Sequence, residues 1–204
     1  LKTLCETQVE FFEPRTKRAP MDRYVFLTMA VGDGYGGLEH RASTALICNR
    51  NDLPTTTAVK FSEPGDGYIK YLGLCSHEYF HTWNVKRIKP AAFAPYDLQA
   101  ETYTPLLWLF EGFTSYYDDL LLLRSGLITE AAYLKLLGKS IGGVLRGSGR
   151  TKQSVADSSF DAWSKYYRQD ENAPNAIVSY YGKGSLIALA FDLTIRAKTE
   201  GKKS

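Results

Sequence analysis

The spacing of apolar positions changes along the chain. Two apolar stretches, at 24–31 and 38–48, flank a Gly/Asp-rich cluster at 32–37 of the kind that turns a chain. This pattern predicts a pair of strands, which we expect to be antiparallel. From about Gly65 the apolar residues recur every three or four positions as far as about Lys86. That spacing predicts a helix with one buried face.

The later apolar runs predict further helices. Thr104 and Pro105 supply an N-cap followed by a proline, and the apolar run behind them ends near Arg124 and Gly126. Three more helices are predicted, over 131–141, 160–167 and 184–198. Glycines 142 and 143 would break the first of these. Strands followed by helices predict an α+β fold in one domain, with a β-rich part at 20–50 and a helical part at 65–204.

Composition narrows the possible partners. The chain has 204 residues, with 25 basic and 22 acidic side chains that are scattered along it, which favours neither a nucleic acid nor a membrane partner. Its apolar runs are shorter than the roughly 20 residues of a membrane-spanning helix. The 3 cysteines form no C-x-x-C pair, which favours a reducing, cytoplasmic compartment. Because the first residue is Leu1, we expect the chain to be a segment excised from a longer protein.

One motif points to metal chemistry. His77-Glu78-Tyr79-Phe80-His81 fits H-E-x-x-H inside the first predicted helix. Residues four apart share a helix face, so both imidazoles can reach one cation. Glu78 projects about a hundred degrees round the helix from His77, as a general base for a metal-bound water would. The alternative is a chance pattern with two partly exposed histidines.

A catalytic zinc ion needs a third protein ligand. The pattern with a third histidine fails, because Asn84 stands where glycine is needed and Arg87 where histidine is needed. Glu111 lies among large apolar residues in the second long helix, where a carboxylate is costly to bury without a positive partner. It could also be an ordinary glutamate or half of a buried ion pair. Glu101 and Asp118 are weaker candidates, so one zinc ion held by His77, His81 and Glu111 is predicted.

At this point the sequence resembles a known family. The runs His77 to Pro90 and Trp108 to Tyr117 are similar to the glycyl aminopeptidase family of metallopeptidases, which belong to the gluzincins, and the resemblance extends from Tyr24 to about Lys198. It implies a thermolysin-like zincin catalytic domain, with a small N-terminal antiparallel sheet, that releases small N-terminal residues such as glycine or alanine. Members often carry a preceding β-rich domain and a following PDZ domain, so flanking domains of the full-length chain are expected partners.

The glycine-rich segment Gly36 to His40 is similar to the substrate-binding strand of gluzincin aminopeptidases. By this resemblance Glu39 would bind the free α-amine of a peptide substrate. Gly36 and Gly37 would let the peptide backbone approach closely. The alternative is a glycine-rich hairpin followed by a solvated glutamate.

The segment Tyr181 to Gly184 resembles one whose tyrosine stabilises the tetrahedral intermediate in aminopeptidase relatives. A phenol that donates to a developing oxyanion suits that role. We expect Tyr181 to be this donor, although the adjacent Tyr180 is an alternative.

Three functions stay open at this stage. The expected one is a zinc aminopeptidase, and the others are a zinc endopeptidase or another zinc hydrolase, and a weakly active or inactive zincin-fold interaction domain. The intact Glu78 argues against the last, because a purely structural zinc site has no use for a general base.

Overall fold

The computed structural model describes residues 1–54 and 64–204. Its main elements, in chain order, are α1 Lys2–Phe12, β1 Val25–Val31, β2 Gly36–Glu39, β3 Ser43–Asn49, α2 Asp66–Phe80, α3 Leu107–Arg124, α4 Glu130–Arg146, α5 Val155–Phe160, α6 Ala173–Ala176 and α7 Tyr180–Lys198. This content confirms the predicted α+β class. Within the described ranges, no helix is long and apolar enough to cross a membrane.

The chain divides into two compact units. The first unit comprises Leu1–Ile88 and Tyr117–Leu134, and the second comprises Lys89–Tyr116 and Lys135–Ser204. The sheet, α1 and α2 belong to the first unit, and α5, α6 and α7 belong to the second. The residues of α3 and of α4 are divided between the two.

The sheet corrects the predicted strand pair. Its strand order is β1-β3-β2, with β1 parallel to β3 and β2 antiparallel to β3. The apolar stretch at 38–48 is therefore divided between two strands. The chain turns at residues 40–42, where the backbone N–H of His40 donates to Ser43 O at 2.8 Å. An antiparallel pairing is present, but it joins β2 to β3, whereas β1 pairs with β3 in parallel.

The core of the first unit forms where α2 meets a helix that the apolar pattern did not reveal. Val9 of α1 packs with Tyr79 and Trp83, and Phe12 stacks on Trp83 with ring centroids 4.7 Å apart. Helix α2 ends at Phe80, six residues before the predicted end near Lys86. Turns follow from His81, and the backbone reaches a φ of +132° at Val85.

In the second unit, two glycines bring α3 and α7 into backbone contact. A Cβ atom added to Gly112 would lie 2.6 Å from Gly184 Cα, and one added to Gly184 would lie 2.7 Å from Trp108 O. No larger residue fits at this crossing without a shift of the helices. The crossing therefore fixes the turn of α3 that carries Glu111 against the first turns of α7.

Three helix boundaries differ from the prediction. Helix α4 continues through glycines 142 and 143 to Arg146, because a helical glycine costs only about 1 kcal/mol relative to alanine. Helix α7 begins at Tyr180, four residues early, because Ser179 Oγ accepts from Gly182 N and caps it. The predicted helix over 160–167 is replaced by α5 and a π-helical turn at Ala162–Tyr166.

Candidate active site

Two histidines lie together at the end of α2. His77 is in the last turn and His81 is the C-cap residue, with ring centroids 4.7 Å apart. Only 2% of His81 is exposed to solvent. The predicted helical spacing thus places both rings side by side, although the helix ends at Phe80, directly before His81.

Hydrogen bonds define the tautomer of both rings. His77 Nδ1 lies 2.9 Å from Asp118 Oδ2, and His81 Nδ1 lies 2.8 Å from the carbonyl oxygen of Asn84. A carboxylate and a carbonyl only accept, so each Nδ1 carries a proton, and in the neutral ring Nε2 then carries the lone pair. This is the arrangement of metal-binding histidines, in which the second ring nitrogen is held by an outer acceptor.

The acceptor for His77 is itself anchored by α1. Gln8 is fully buried and donates through Nε2 to Ser76 Oγ at 2.9 Å, and Ser76 Oγ donates to Asp118 O at 2.8 Å. Asp118, considered above as a weak ligand candidate, orients His77 instead. Asn84 bonds to His81 through its backbone carbonyl, a group that every residue has. The identity of residue 84 therefore does not predict this role.

A second carboxyl group lies beside this anchor. Burial raises the pKa of Asp119 to about 8, with the negative charge of Asp118 as the next cause, while His77 opposes the shift. The backbone N–H of Asp119 donates to Asp118 Oδ1 at 2.6 Å. Asp118 is thereby held in place on the side of His77.

The third member of the cluster is Glu111 of α3. One ligand atom from each of His77, His81 and Glu111 lies within 4.8 Å of the other two. Two imidazole nitrogens and one carboxylate oxygen suit a catalytic zinc ion, which takes three protein ligands and keeps one position for water or substrate. With both Nε2 atoms as lone-pair donors, the group is compatible with a metal ion. Glu101, the other weak candidate, is exposed.

Glu78 is buried against the glycine-rich strand. Only 5% of it is exposed, and a Cβ atom added to Gly37 would overlap its carboxylate. A Cβ atom added to Gly36 would meet nothing within 4 Å. The Glu78 side chain in this position therefore leaves no room for a Cβ atom at residue 37, a reason for glycine that sequence analysis, which assigned both glycines to substrate approach, did not identify.

Glu39 faces a cation in the structure. Lys86 Nζ lies 3.0 Å from Glu39 Oε1, and the two side chains are 18% and 20% exposed. The Glu39 carboxylate is thus not a solvated surface group, and it is already paired with a cation. A substrate amine would have to share the carboxylate or replace Lys86.

Both candidate oxyanion donors lie in the first turn of α7. Tyr180 is 1% exposed, and its hydroxyl donates to Tyr167 Oη at 3.1 Å. Tyr181 is partly buried, and its hydroxyl lies 3.0 Å from that of Tyr167. Burial first, and then the negative charge of Glu111, raises the pKa of Tyr181, which keeps the phenol protonated and able to donate. Of the two residues, Tyr181 is the more exposed to solvent.

Comparison with known proteins identifies the family. A family model for the M61 glycyl aminopeptidases matches residues 70–187, more than half of the chain, and the chain belongs to this family of peptidases. It is also similar to the crystal structure of an aminopeptidase N family protein from Idiomarina loihiensis, with 54% identity and a TM-score of 0.92. That match covers 99% of this chain and 33% of the other, so this chain spans about a third of that protein's length. No curated protein matches the chain.

Proposed function

We propose that this chain carries the catalytic centre of a zinc-dependent aminopeptidase. The observation that supports this most strongly is the group formed by His77, His81 and Glu111, with both histidines held in the ligand tautomer. Membership of the glycyl aminopeptidase family supports the same reaction class.

In this proposal His77 Nε2, His81 Nε2 and a carboxylate oxygen of Glu111 hold one zinc ion. When bound, such an ion supplies a Lewis acid that polarises a carbonyl and acidifies a water molecule. Asp118 and the Asn84 carbonyl keep the two rings in the orientation that binding requires.

Two side chains perform the proton transfer and charge stabilisation. Glu78, next to His77 and fixed by its contact with Gly37, takes the proton of the attacking water and passes it to the leaving amine. Tyr181 donates its phenolic hydrogen to the oxyanion that develops on the scissile carbonyl. The peptide bond is hydrolysed without a covalent enzyme intermediate.

The Glu39 carboxylate supports an exopeptidase over an endopeptidase. It is partly buried and already paired with an ammonium group, that of Lys86, so the site has the charge to bind a cationic amine. We propose that the free α-amine of a peptide binds here and that the residue released is small, glycine or alanine, as in the family's glycyl aminopeptidases.

Blocking the substrate amine tests this assignment. Glycyl and alanyl fluorogenic amides should be cleaved, and N-acetylation should lower kcat/KM by about ten- to a hundredfold, because a charged hydrogen bond of roughly 1.5 to 3 kcal/mol is lost. The rates should also fall on chelation and return with zinc. In the Glu39→Gln protein the ratio of kcat/KM for the unblocked substrate to that for the blocked substrate should fall towards one. Equal rates on blocked and unblocked peptides in the unsubstituted protein would indicate an endopeptidase.

The contact between Gly37 and Glu78 provides a second test. Gly37→Ala should push the Glu78 side chain aside and lower kcat by roughly a hundredfold, the cost of a misplacement of about 1 Å, with zinc content unchanged. Gly32→Ala is the matched control, because a Cβ atom there meets nothing within 4 Å. Steady-state kinetics with metal analysis separates the two effects. Equal kcat in both variants would refute the role of Gly37 in positioning Glu78.

A further inference from the structure

Four tyrosines of the second unit form one cluster. Tyr180 and Tyr181 stack with ring centroids 4.6 Å apart, and Tyr166 lies 4.8 Å from Tyr180 and 5.9 Å from Tyr181. Tyr167 reaches the same place through its hydroxyl, 3.1 Å from that of Tyr180 and 3.0 Å from that of Tyr181. Tyr166 and Tyr167, which follow α5, thus contact Tyr180 and Tyr181, the first two residues of α7.

A rare backbone conformation delivers Tyr166 and Tyr167 to this position. The chain forms a π-helical turn at Ala162–Tyr166, directly before Tyr167. Such turns are uncommon and are often found at functional sites. Tyr166 is secured by its hydroxyl, 3.1 Å from Ser179 Oγ, the N-cap of α7.

The ring of Tyr167 does not explain why a tyrosine stands here. The residue is 60% exposed, so it contributes little to the apolar core. Its hydroxyl, in contrast, is the group that joins Tyr180 to Tyr181. The ring also lies against those of Trp163 and Tyr166, but the hydroxyl is the part of Tyr167 that reaches both tyrosines of α7.

The order of hydrogen bonds gives this hydroxyl a direction. Either hydroxyl can donate in the 3.0 Å contact between Tyr167 and Tyr181, and because Tyr180 already donates to Tyr167 Oη, the single hydrogen of Tyr167 is available for Tyr181 Oη. With the hydrogen bonds in this order, Tyr181 accepts from Tyr167 and directs its own hydrogen elsewhere. A phenol that accepts such a bond becomes a better donor, because hydrogen bonds in a chain polarise one another.

From this geometry we infer that Tyr167 is a positioning residue for Tyr181. Its hydroxyl holds the Tyr181 phenol in the orientation that donates to the oxyanion, and it relays the polarisation that begins at the buried Tyr180. This inference rests on the proposed function, in which Tyr181 is the oxyanion donor. It assigns a role to a residue that carries no motif in the sequence.

The kinetic test removes one hydroxyl at a time. Tyr167→Phe should lower kcat for a glycyl amide by about two- to twelvefold, the effect of one hydrogen bond, and should leave KM and zinc content within twofold. Tyr103→Phe, the same change at an exposed tyrosine packed on Phe160, is the matched control and should keep wild-type kinetics. In a Tyr181→Phe background, Tyr167→Phe should cause no further loss. An equal additional loss in that background, or an unchanged kcat in Tyr167→Phe, would overturn the inference.

A spectroscopic test does not depend on turnover. In metal-free protein labelled at the tyrosine ζ carbon, the NMR signal that disappears in Tyr181→Phe should move in Tyr167→Phe and stay in place in Tyr103→Phe. An unmoved signal in Tyr167→Phe would refute the link between the two hydroxyls. If the signal moves but the wild-type protein cleaves no peptide with zinc bound, the proposed function fails and the link stands.

Discussion

Replacing Glu78 with glutamine is expected to remove nearly all peptide hydrolysis while zinc stays bound. The amide keeps the size of the carboxylate and its contact with Gly37, but it cannot accept a proton at neutral pH. Loss of a general base lowers kcat by about a hundred- to ten-thousandfold. The measurement is kcat on a glycyl amide, with the zinc content of the same sample.

A matched change controls for the substitution itself. Glu101→Gln alters an exposed glutamate in the same way and should leave both kcat and zinc content unchanged. Wild-type kcat in the Glu78→Gln protein would refute the role of Glu78 as general base. Loss of zinc from that protein would show that Glu78 is needed for metal binding, which the proposal does not allow.

Replacing His81 with alanine is expected to remove the metal and all activity. His81 is 2% exposed and its Nδ1 is held by the Asn84 carbonyl, so alanine deletes a buried, oriented imidazole that the proposal assigns to the metal. Loss of an outer-shell partner already costs about ten- to a hundredfold in metal affinity, and loss of a ligand should cost more. Zinc should also raise the Tm of the wild-type protein, because it binds the folded state, and should not raise that of His81→Ala.

The third histidine of the chain supplies the control for this experiment. His40 is exposed and takes no part in the proposed metal site. His40→Ala should bind zinc as the wild-type protein does, as measured by metal titration and thermal denaturation. Equal zinc affinity in His81→Ala and His40→Ala would exclude His81 as a ligand.

The parts of the site that depend on local spacing were predictable from sequence. His77 and His81 lie side by side because four residues bring a helix back to the same face. Glu111 was predicted from a different signal, a carboxylate set among large apolar residues, and the structure places it with the two histidines. The family resemblance was confirmed by the match over residues 70–187. Each of these inferences uses short-range periodicity, the composition around one residue or a contiguous motif.

The parts that depend on long-range contacts were not predictable in this way. Asp118 bonds to His77 across 41 residues, and Gln8 bonds to Ser76 across 68, so no spacing rule connects them. The direction of β1 was missed because apolar alternation is the same in parallel and antiparallel strands. Tyr167 was missed because its role depends on a π-helical turn, which has no sequence pattern of its own.

Anomalous X-ray diffraction at the zinc absorption edge tests the central claim most directly. Crystals of the zinc-loaded protein should show one peak about 2 Å from His77 Nε2, His81 Nε2 and a carboxylate oxygen of Glu111. The Glu78→Gln protein should show the same peak. A zinc peak bound by other residues, or none at these three in zinc-loaded crystals, would contradict the account.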